Sequence, residues 1–104
     1  MIFDKSNDGS SLTLRIRGEL DAFTAPELRP FLDEVEAPSA PKKVVVDLSG
    51  LTLIDSSGVG AIVSLFKRVR AREGELVLMG LTGQPLAIFK LLNLDRVFSI
   101  LPAA

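Results

Sequence analysis

Residues 53–60 read Leu-Ile-Asp-Ser-Ser-Gly-Val-Gly, and this stretch decides the fold because a strand pattern ends in it and a helical pattern begins. The β-branched run from Lys43 to Leu48 precedes it and is typical of a strand buried on both faces. Asp55 and Ser56 are suitable helix N-caps, because a short side-chain oxygen can accept from a free backbone N–H group. Apolar residues then recur at helical spacing, at Val59, Ile62, Val63, Phe66 and Val69. The sequence therefore predicts a strand, a polar loop and a helix in succession.

The N-terminal segment predicts an antiparallel pair of strands. Ile2–Lys5 is a short strand candidate, and Asn7–Ser10 is a hairpin-turn signal because Gly9 tolerates a positive φ. From Leu12 to Arg17, apolar and polar residues alternate with the period of two that a half-exposed strand requires.

The next segment predicts the first helix. Thr24–Glu27 reads as a capping box with a proline in the first turn. Pro30 lacks a backbone donor and crowds the preceding turn, so we expect a kink or a tightened first turn there. The apolar stripe of this helix comprises Leu28, Phe31, Leu32 and Val35.

The C-terminal segment continues the alternation of strands and helices. The central helix should end near Gly74, where glycine suits a C-cap. Glu75–Gly80 and Val97–Ile100 are strand candidates, and Thr82–Pro85 opens a third helix between them. Its stripe comprises Leu86, Phe89 and Leu92, widened by Ile88 and Leu91. The predicted fold class is α/β, a mixed sheet formed by a hairpin and then alternating strands and helices, in a single domain over residues 1–104.

Composition excludes several functions. The 104 residues carry a formal charge of −1 and contain neither cysteine nor histidine. A disulfide framework, a thiol nucleophile, a histidine base and the commonest metal ligand are therefore excluded. We expect no nucleic-acid partner, because no basic cluster lies outside the central helix. No cofactor and no metal are expected either. Charged residues interrupt the N-terminus and no apolar run is long enough to span a bilayer, so the expected compartment is the cytoplasm.

The serine and glycine residues of the loop do not fit known catalytic motifs. Ser56–Gly60 is not a nucleophile elbow, and Lys67 lies about three helical turns from the serines. Gly58 and Gly60 suggest a dinucleotide-binding turn, but Val63 occupies the position of the third glycine. An enzyme is therefore not expected.

Two carboxylate pairs are candidates for acid–base or phosphoacceptor chemistry, Glu19 with Asp21 and Asp47 with Asp55. Asp47 ends the predicted buried strand, as the phosphorylated aspartate of a response-regulator receiver does. A receiver also needs an acidic pair after its first strand and a lysine after its last, and neither is present. A capping role at the strand end is the alternative for Asp47.

Ser56 and Ser57 remain as helix caps or as acceptors of a phosphate added by another protein. A phosphate carries a charge of about −1.5 to −2, and a helix N-terminus offers it free N–H groups and the positive end of the dipole. A partner docked over the same loop would have to bury that charge. Both interpretations remain open on the residues alone.

Four motifs in the order found here resemble the STAS domain, and more narrowly the stand-alone bacterial anti-sigma factor antagonists. They are Gly18–Asp21 with Thr24, Ala25 and Leu28 after it, Val45–Ser49, Asp55–Gly60, and Leu91–Phe98. The resemblance covers essentially the whole chain. It implies that the unphosphorylated chain binds an anti-sigma factor that is also a serine kinase, which frees the sigma factor.

The resemblance also implies which residues take part. Ser57 would be phosphorylated by the kinase, which supplies ATP and magnesium, and a separate serine phosphatase would reset it. The docking surface would comprise Asp21, Phe23, Thr24, Asp55, Ser56, Gly58 and Val59. Asp55 would cap the helix, and Gly58 and Gly60 would let the backbone of the partner come close. An alternative with the same fold is a STAS subunit of a signalling assembly or of a lipid- or anion-transport complex, without serine phosphorylation.

Overall fold

The computed structural model describes residues 1–103, and within them a strand hairpin is followed by alternating helices and strands. The strands are β1 (Ile2–Asn7), β2 (Ser11–Leu20), β3 (Lys43–Ile54), β4 (Glu75–Met79) and β5 (Ser99–Leu101). The α-helices are α1 (Arg29–Val35), α2 (Ser56–Ala71) and α3 (Gly83–Leu91). Short 3₁₀ turns cover Ala25–Leu28 and Leu94–Arg96. The predicted α/β class and the order of elements are confirmed.

The strands lie in one sheet in the order β1-β2-β3-β4-β5. β1 is antiparallel to β2, and Gly9 has a φ of +90° in the turn between them, as expected. The other neighbouring pairs are parallel. Successive right-handed crossovers that step in one direction place their helices on the same face of a sheet. The predicted mixed sheet with packed helices is confirmed.

The hydrophobic core lies between the helices and one face of the sheet. Val44, Val46 and Leu48 are buried in it, whereas Val45 and Asp47 are only half-buried. The prediction that the central strand is buried on both faces is therefore wrong, because all helices cover the same side. From the helices, the core receives Leu28, Phe31, Val35, Val59, Ile62, Leu65, Val69 and Phe89.

β3 is twice as long as the predicted strand, and its second half positions the serines. The β3–β4 pairing ends at Asp47 opposite Met79, whereas the β2–β3 pairing continues to Leu20 opposite Ile54. The last seven residues of β3 therefore pair with β2 alone. Because the strand continues past Asp47, this residue does not lie at the end of the strand. The receiver interpretation required an aspartate at the strand end, so the structure does not support it.

Two predictions about the first helix have different outcomes. The tightened turn at Pro30 is confirmed, since a 3₁₀ turn precedes α1 and Pro30 lies in the first turn of α1. The capping box is wrong, because the Thr24 side chain makes no cap hydrogen bond to the helix. Its hydroxyl is instead bonded to the loop that precedes it, including the backbone N–H of Asp21 at 2.9 Å.

The ends of the later elements also differ from the prediction. After α2, Glu73 rather than Gly74 adopts the left-handed conformation, with a φ of +60°. Gly74 is required for another reason, since a Cβ there would lie 2.7 Å from the Lys42 carbonyl oxygen. The last strand begins at Ser99, two residues later than expected, because the N–H groups of Val97 and Phe98 are bonded to the Leu94 carbonyl in a turn. Among residues 1–103, no helix combines the length and the apolar character needed to cross a bilayer.

Candidate functional site

Asp55 joins the start of α2 to the loop that follows β2. It is the N-cap of α2, and its Oδ1 accepts a hydrogen bond from the Gly58 N–H at 2.9 Å. Its Oδ2 accepts from the N–H of Ala22 at 3.3 Å. The capping role expected for Asp55 is confirmed. The same carboxylate also holds the segment Asp55–Gly58, which we call the serine loop, against residues 21–24.

The loop at residues 21–24 is ordered by its own aspartate. Asp21 Oδ1 accepts from the N–H groups of Phe23 at 2.9 Å and Thr24 at 3.0 Å. The N–H of Thr24, more than that of Phe23, lowers the pKa of the Asp21 carboxyl below its ordinary value of 3.8. Because the folded pKa is the lower one, this stabilisation is complete above pH 3.8 and is lost as the pH falls through the folded pKa.

Phe23 lies on the tip of this loop and is 92% exposed. A single exposed apolar side chain is common on protein surfaces, but an aromatic ring offers a large apolar area for a partner to cover. The backbone around Phe23 is held by two hydrogen bonds, from the Phe23 N–H to Asp21 and from the Ala22 N–H to Asp55. The ring is therefore presented outward on an ordered loop beside the serines.

Ser56 and Ser57 are both exposed and form the first two positions of α2. Asp55 occupies the N-cap position, so neither serine is needed to cap the helix. The helix has no acidic residue in its first turn. An anion on either hydroxyl would lie next to the free N–H groups and the positive end of the α2 dipole.

Gly58, the last residue of the serine loop, and Val59 directly after it are buried. A Cβ at residue 58 would overlap the Leu20 carbonyl oxygen and lie 2.7 Å from Ile54 Cγ1. Contacts within the fold therefore account for the glycine at position 58. Gly60 differs, because it is exposed and a Cβ there would have no neighbouring atom within 4 Å.

An apolar groove of about 200 Å³ begins beside Ser56, and we refer to it as the α2–α3 groove. Its walls are Ile54, Asp55, Ser56, Val59, Ile88, Leu91 and Leu92. Leu91 and Leu92 are 76% and 52% exposed, so the prediction that they extend the buried stripe of α3 is wrong. The sequence pattern alone did not identify Leu91 and Leu92 as surface residues. The available signal was that Phe89, Leu91 and Leu92 together occupy more faces of the helix than one sheet can bury.

Asp47 and Asp55, one of the two candidate carboxylate pairs, lie in separate hydrogen-bond networks. Asp47 lies on the open face of the sheet, where its Oδ1 accepts from the N–H and the hydroxyl of Ser49. Asp55 lies beyond the end of β3, and its two oxygens are bonded to backbone N–H groups. Within the described chain, residues 1–103, no group of three or more acidic side chains could hold a metal ion.

Replacing Asp55 by alanine should lower the free energy of unfolding by about 1–2 kcal/mol, because α2 loses its cap and the two loops lose their connection. Asp55→Asn is the matched control and should lose less, since its oxygen can still accept from the Gly58 N–H. Urea denaturation of the three proteins measures the difference. An alanine variant with the wild-type midpoint would contradict the assignment of the cap.

Comparison with known proteins agrees with this architecture. The family model of the STAS domain matches residues 3–103. An anti-sigma-B factor antagonist of Listeria monocytogenes is 33% identical over 96 residues, which cover 92% of this chain and 83% of the relative. The phosphorylated form of the Bacillus cell fate determinant SpoIIAA has a TM-score of 0.80 at 20% identity, covering 99% of this chain and 92% of that one. An anti-sigma factor antagonist from Mycobacterium paratuberculosis has a TM-score of 0.86 at 22% identity, covering 98% and 86% of the two chains. From its family match, its similarity to the Listeria protein and its fold, this chain belongs to the STAS domain family.

Proposed function

We propose that this protein is an anti-sigma factor antagonist controlled by phosphorylation of Ser57. In the unphosphorylated form it binds an anti-sigma factor with serine kinase activity in the cytoplasm, and the sigma factor is released. It acts as a binding partner and substrate rather than as an enzyme. ATP and magnesium belong to the kinase, and a serine phosphatase restores the binding form.

The observation that supports this function best is the position of Ser57. Its hydroxyl is exposed at the N-terminus of a sixteen-residue helix, and Asp55 already provides the cap. A phosphate there would meet backbone N–H groups, so the fold can accommodate it. The name of the Listeria relative, with which this chain shares 33% identity, supports the same function.

The proposed docking surface surrounds Ser57. It comprises Asp21, Phe23, Thr24, Asp55 and Ser56, with Gly58 and Val59 beneath them, and we extend it to the α2–α3 groove. Phe23 and the groove provide the apolar contacts that stabilise protein interfaces, and an exposed aromatic ring is a frequent anchor. None of the ion pairs formed within residues 1–103 involves Asp21 or Asp55. A basic group of the partner would therefore find these carboxylates without a competing cation.

Phosphorylation of Ser57 is tested with the purified anti-sigma factor of the same organism, ATP and magnesium, followed by mass spectrometry of the segment from Val44 to Lys67. The wild type and Ser56→Ala should take up one phosphate, whereas Ser57→Ala should take up none. Ser56→Ala is the matched control because it removes the neighbouring hydroxyl from the same loop. Phosphate retained in Ser57→Ala would contradict the assignment of the acceptor.

A further inference from the structure

The side chain of Gln84 completes the sheet at the point where β4 has already ended. Ile54 is the last residue of β3 and is paired with Leu20 of β2 on one side. On its other side, Gln84 Oε1 accepts from the Ile54 N–H at 2.9 Å, and Gln84 Nε2 donates to the Ile54 carbonyl at 2.9 Å. The side-chain amide of Gln84 thus replaces the peptide group that a neighbouring strand would provide.

These two bonds join α3 to the residue directly before the serine loop. Among the side-chain hydrogen bonds described for residues 1–103, no others connect α3 to another element. The N-cap residue of α3, Thr82, makes no side-chain cap hydrogen bond, and the first helical hydrogen bond is long, at 3.4 Å. Gln84 is therefore the main polar contact that fixes the start of α3 relative to β3.

The position of α3 matters because its far end forms one wall of the α2–α3 groove. Ile54, Asp55 and Ser56 border the groove on one side, and Leu91 and Leu92 border it on the other. Ile54 is 2% exposed and cannot move without disturbing the core. Because Ile54 is fixed, its two bonds to Gln84 set the position of α3 relative to the serine loop.

We propose that Gln84 is the positioning residue of this surface: it holds the serine loop and α3 in one arrangement, so that Ser57 and the groove are presented together. This inference rests on the proposed docking of an anti-sigma factor. Without Gln84, the two halves of the surface sample several relative positions, and only a fraction of the molecules is ready to bind. The apparent affinity is the intrinsic affinity multiplied by that fraction, while the chemistry at Ser57 is unchanged.

Gln84→Met keeps the length of the side chain and removes both hydrogen bonds. In the free protein, amide exchange measured by NMR should be about 10-fold faster at Ile54, the loss expected for one or two hydrogen bonds. Gln84→Glu can still accept from the Ile54 N–H but cannot donate to its carbonyl, so its exchange rate should be intermediate. Lys90→Met places the same new side chain on an exposed position of α3 and should change the rate less than about twofold. Exchange at Ile54 that is unaltered in Gln84→Met would overturn the proposal.

The second measurement concerns phosphorylation by the purified anti-sigma factor. The KM for Gln84→Met should rise about 10-fold at unchanged kcat, because docking is weakened and the transfer step is not. A KM equal to that of the wild type would overturn the positioning role even if Ile54 exchanges faster. A wild-type chain that no anti-sigma factor binds would contradict the proposed function alone, since the exchange rates are measured on the free protein.

Discussion

Replacing Gly58 by alanine should lower the free energy of unfolding by about 2 kcal/mol or more. The added methyl group would overlap the Leu20 carbonyl oxygen and press on Ile54 from 2.7 Å, and both neighbours belong to the paired ends of β2 and β3. Overpacking of this kind costs about 1–3 kcal/mol and occasionally more. Because the Leu20 backbone is paired with β3 and the Ile54 side chain is buried, the serine loop should shift as well. Thermal and urea denaturation measure the change.

Gly60→Ala is the matched control, since it makes the same chemical change two residues further along α2. Nothing lies within 4 Å of the position that its methyl group would occupy. Alanine is favoured over glycine in a helix by about 0.5–1 kcal/mol, so this variant should be more stable than the wild type. Opposite signs for the two variants are the expected result. Equal destabilisation would show that contacts with Leu20 and Ile54 do not determine the effect at Gly58.

Phosphorylation of Ser57 should weaken binding to the anti-sigma factor at least 100-fold, as measured by isothermal titration calorimetry with the purified phosphoprotein. The docked partner would bury a charge of about −1.5 to −2 beside Asp55 and Asp21, and burying an unmatched charge costs several kcal/mol. Each ~1.4 kcal/mol of lost binding free energy reduces the affinity tenfold. The fold itself should keep its stability, because the phosphate lies at the N-terminus of α2.

Two variants separate charge from shape in this experiment. Ser57→Asp adds one negative charge and should reduce the affinity for the anti-sigma factor about tenfold. This corresponds to a loss of ~1.4 kcal/mol of binding free energy. Ser57→Ala adds none and should bind like the unmodified wild type. Equal affinity of the phosphorylated and unphosphorylated proteins would exclude a switch that acts through docking. It would favour the alternative of a STAS subunit whose serine is not a regulatory site.

The fold was accessible from sequence because its strongest patterns are local. The alternation from Leu12 to Arg17 and the helical period after Val59 each report which face of one element is buried. The length of β3 was not accessible in this way. Ser49, Gly50 and Thr52 interrupt its apolar pattern, and the strand continues because β2 runs alongside it. The pattern of residues within one strand does not show that another strand, distant in sequence, pairs with it.

The candidate site was predicted in part, and the missed part depends on tertiary contacts. Asp55 as a cap follows from its place before the helix, and the structure confirms it. The exposure of Leu91 and Leu92 depends on where α3 ends relative to the sheet, which no local period reveals. The role of Gln84 depends on β4 ending before β3 does. A side chain that takes the place of a neighbouring strand produces no periodic pattern in the sequence.

The parallel pairing of β2 with β3 has a consequence for how the protein is recognised. Ala22 and Asp55 hydrogen-bond to each other although they lie 33 residues apart in sequence. Parallel strands need a long crossover, so these residues meet only when the chain between β2 and β3 has closed and the two strands have paired. A kinase that docks on both loops would therefore discriminate between folded and unfolded copies of its substrate. Newly made or damaged chains would escape modification until their sheet is complete.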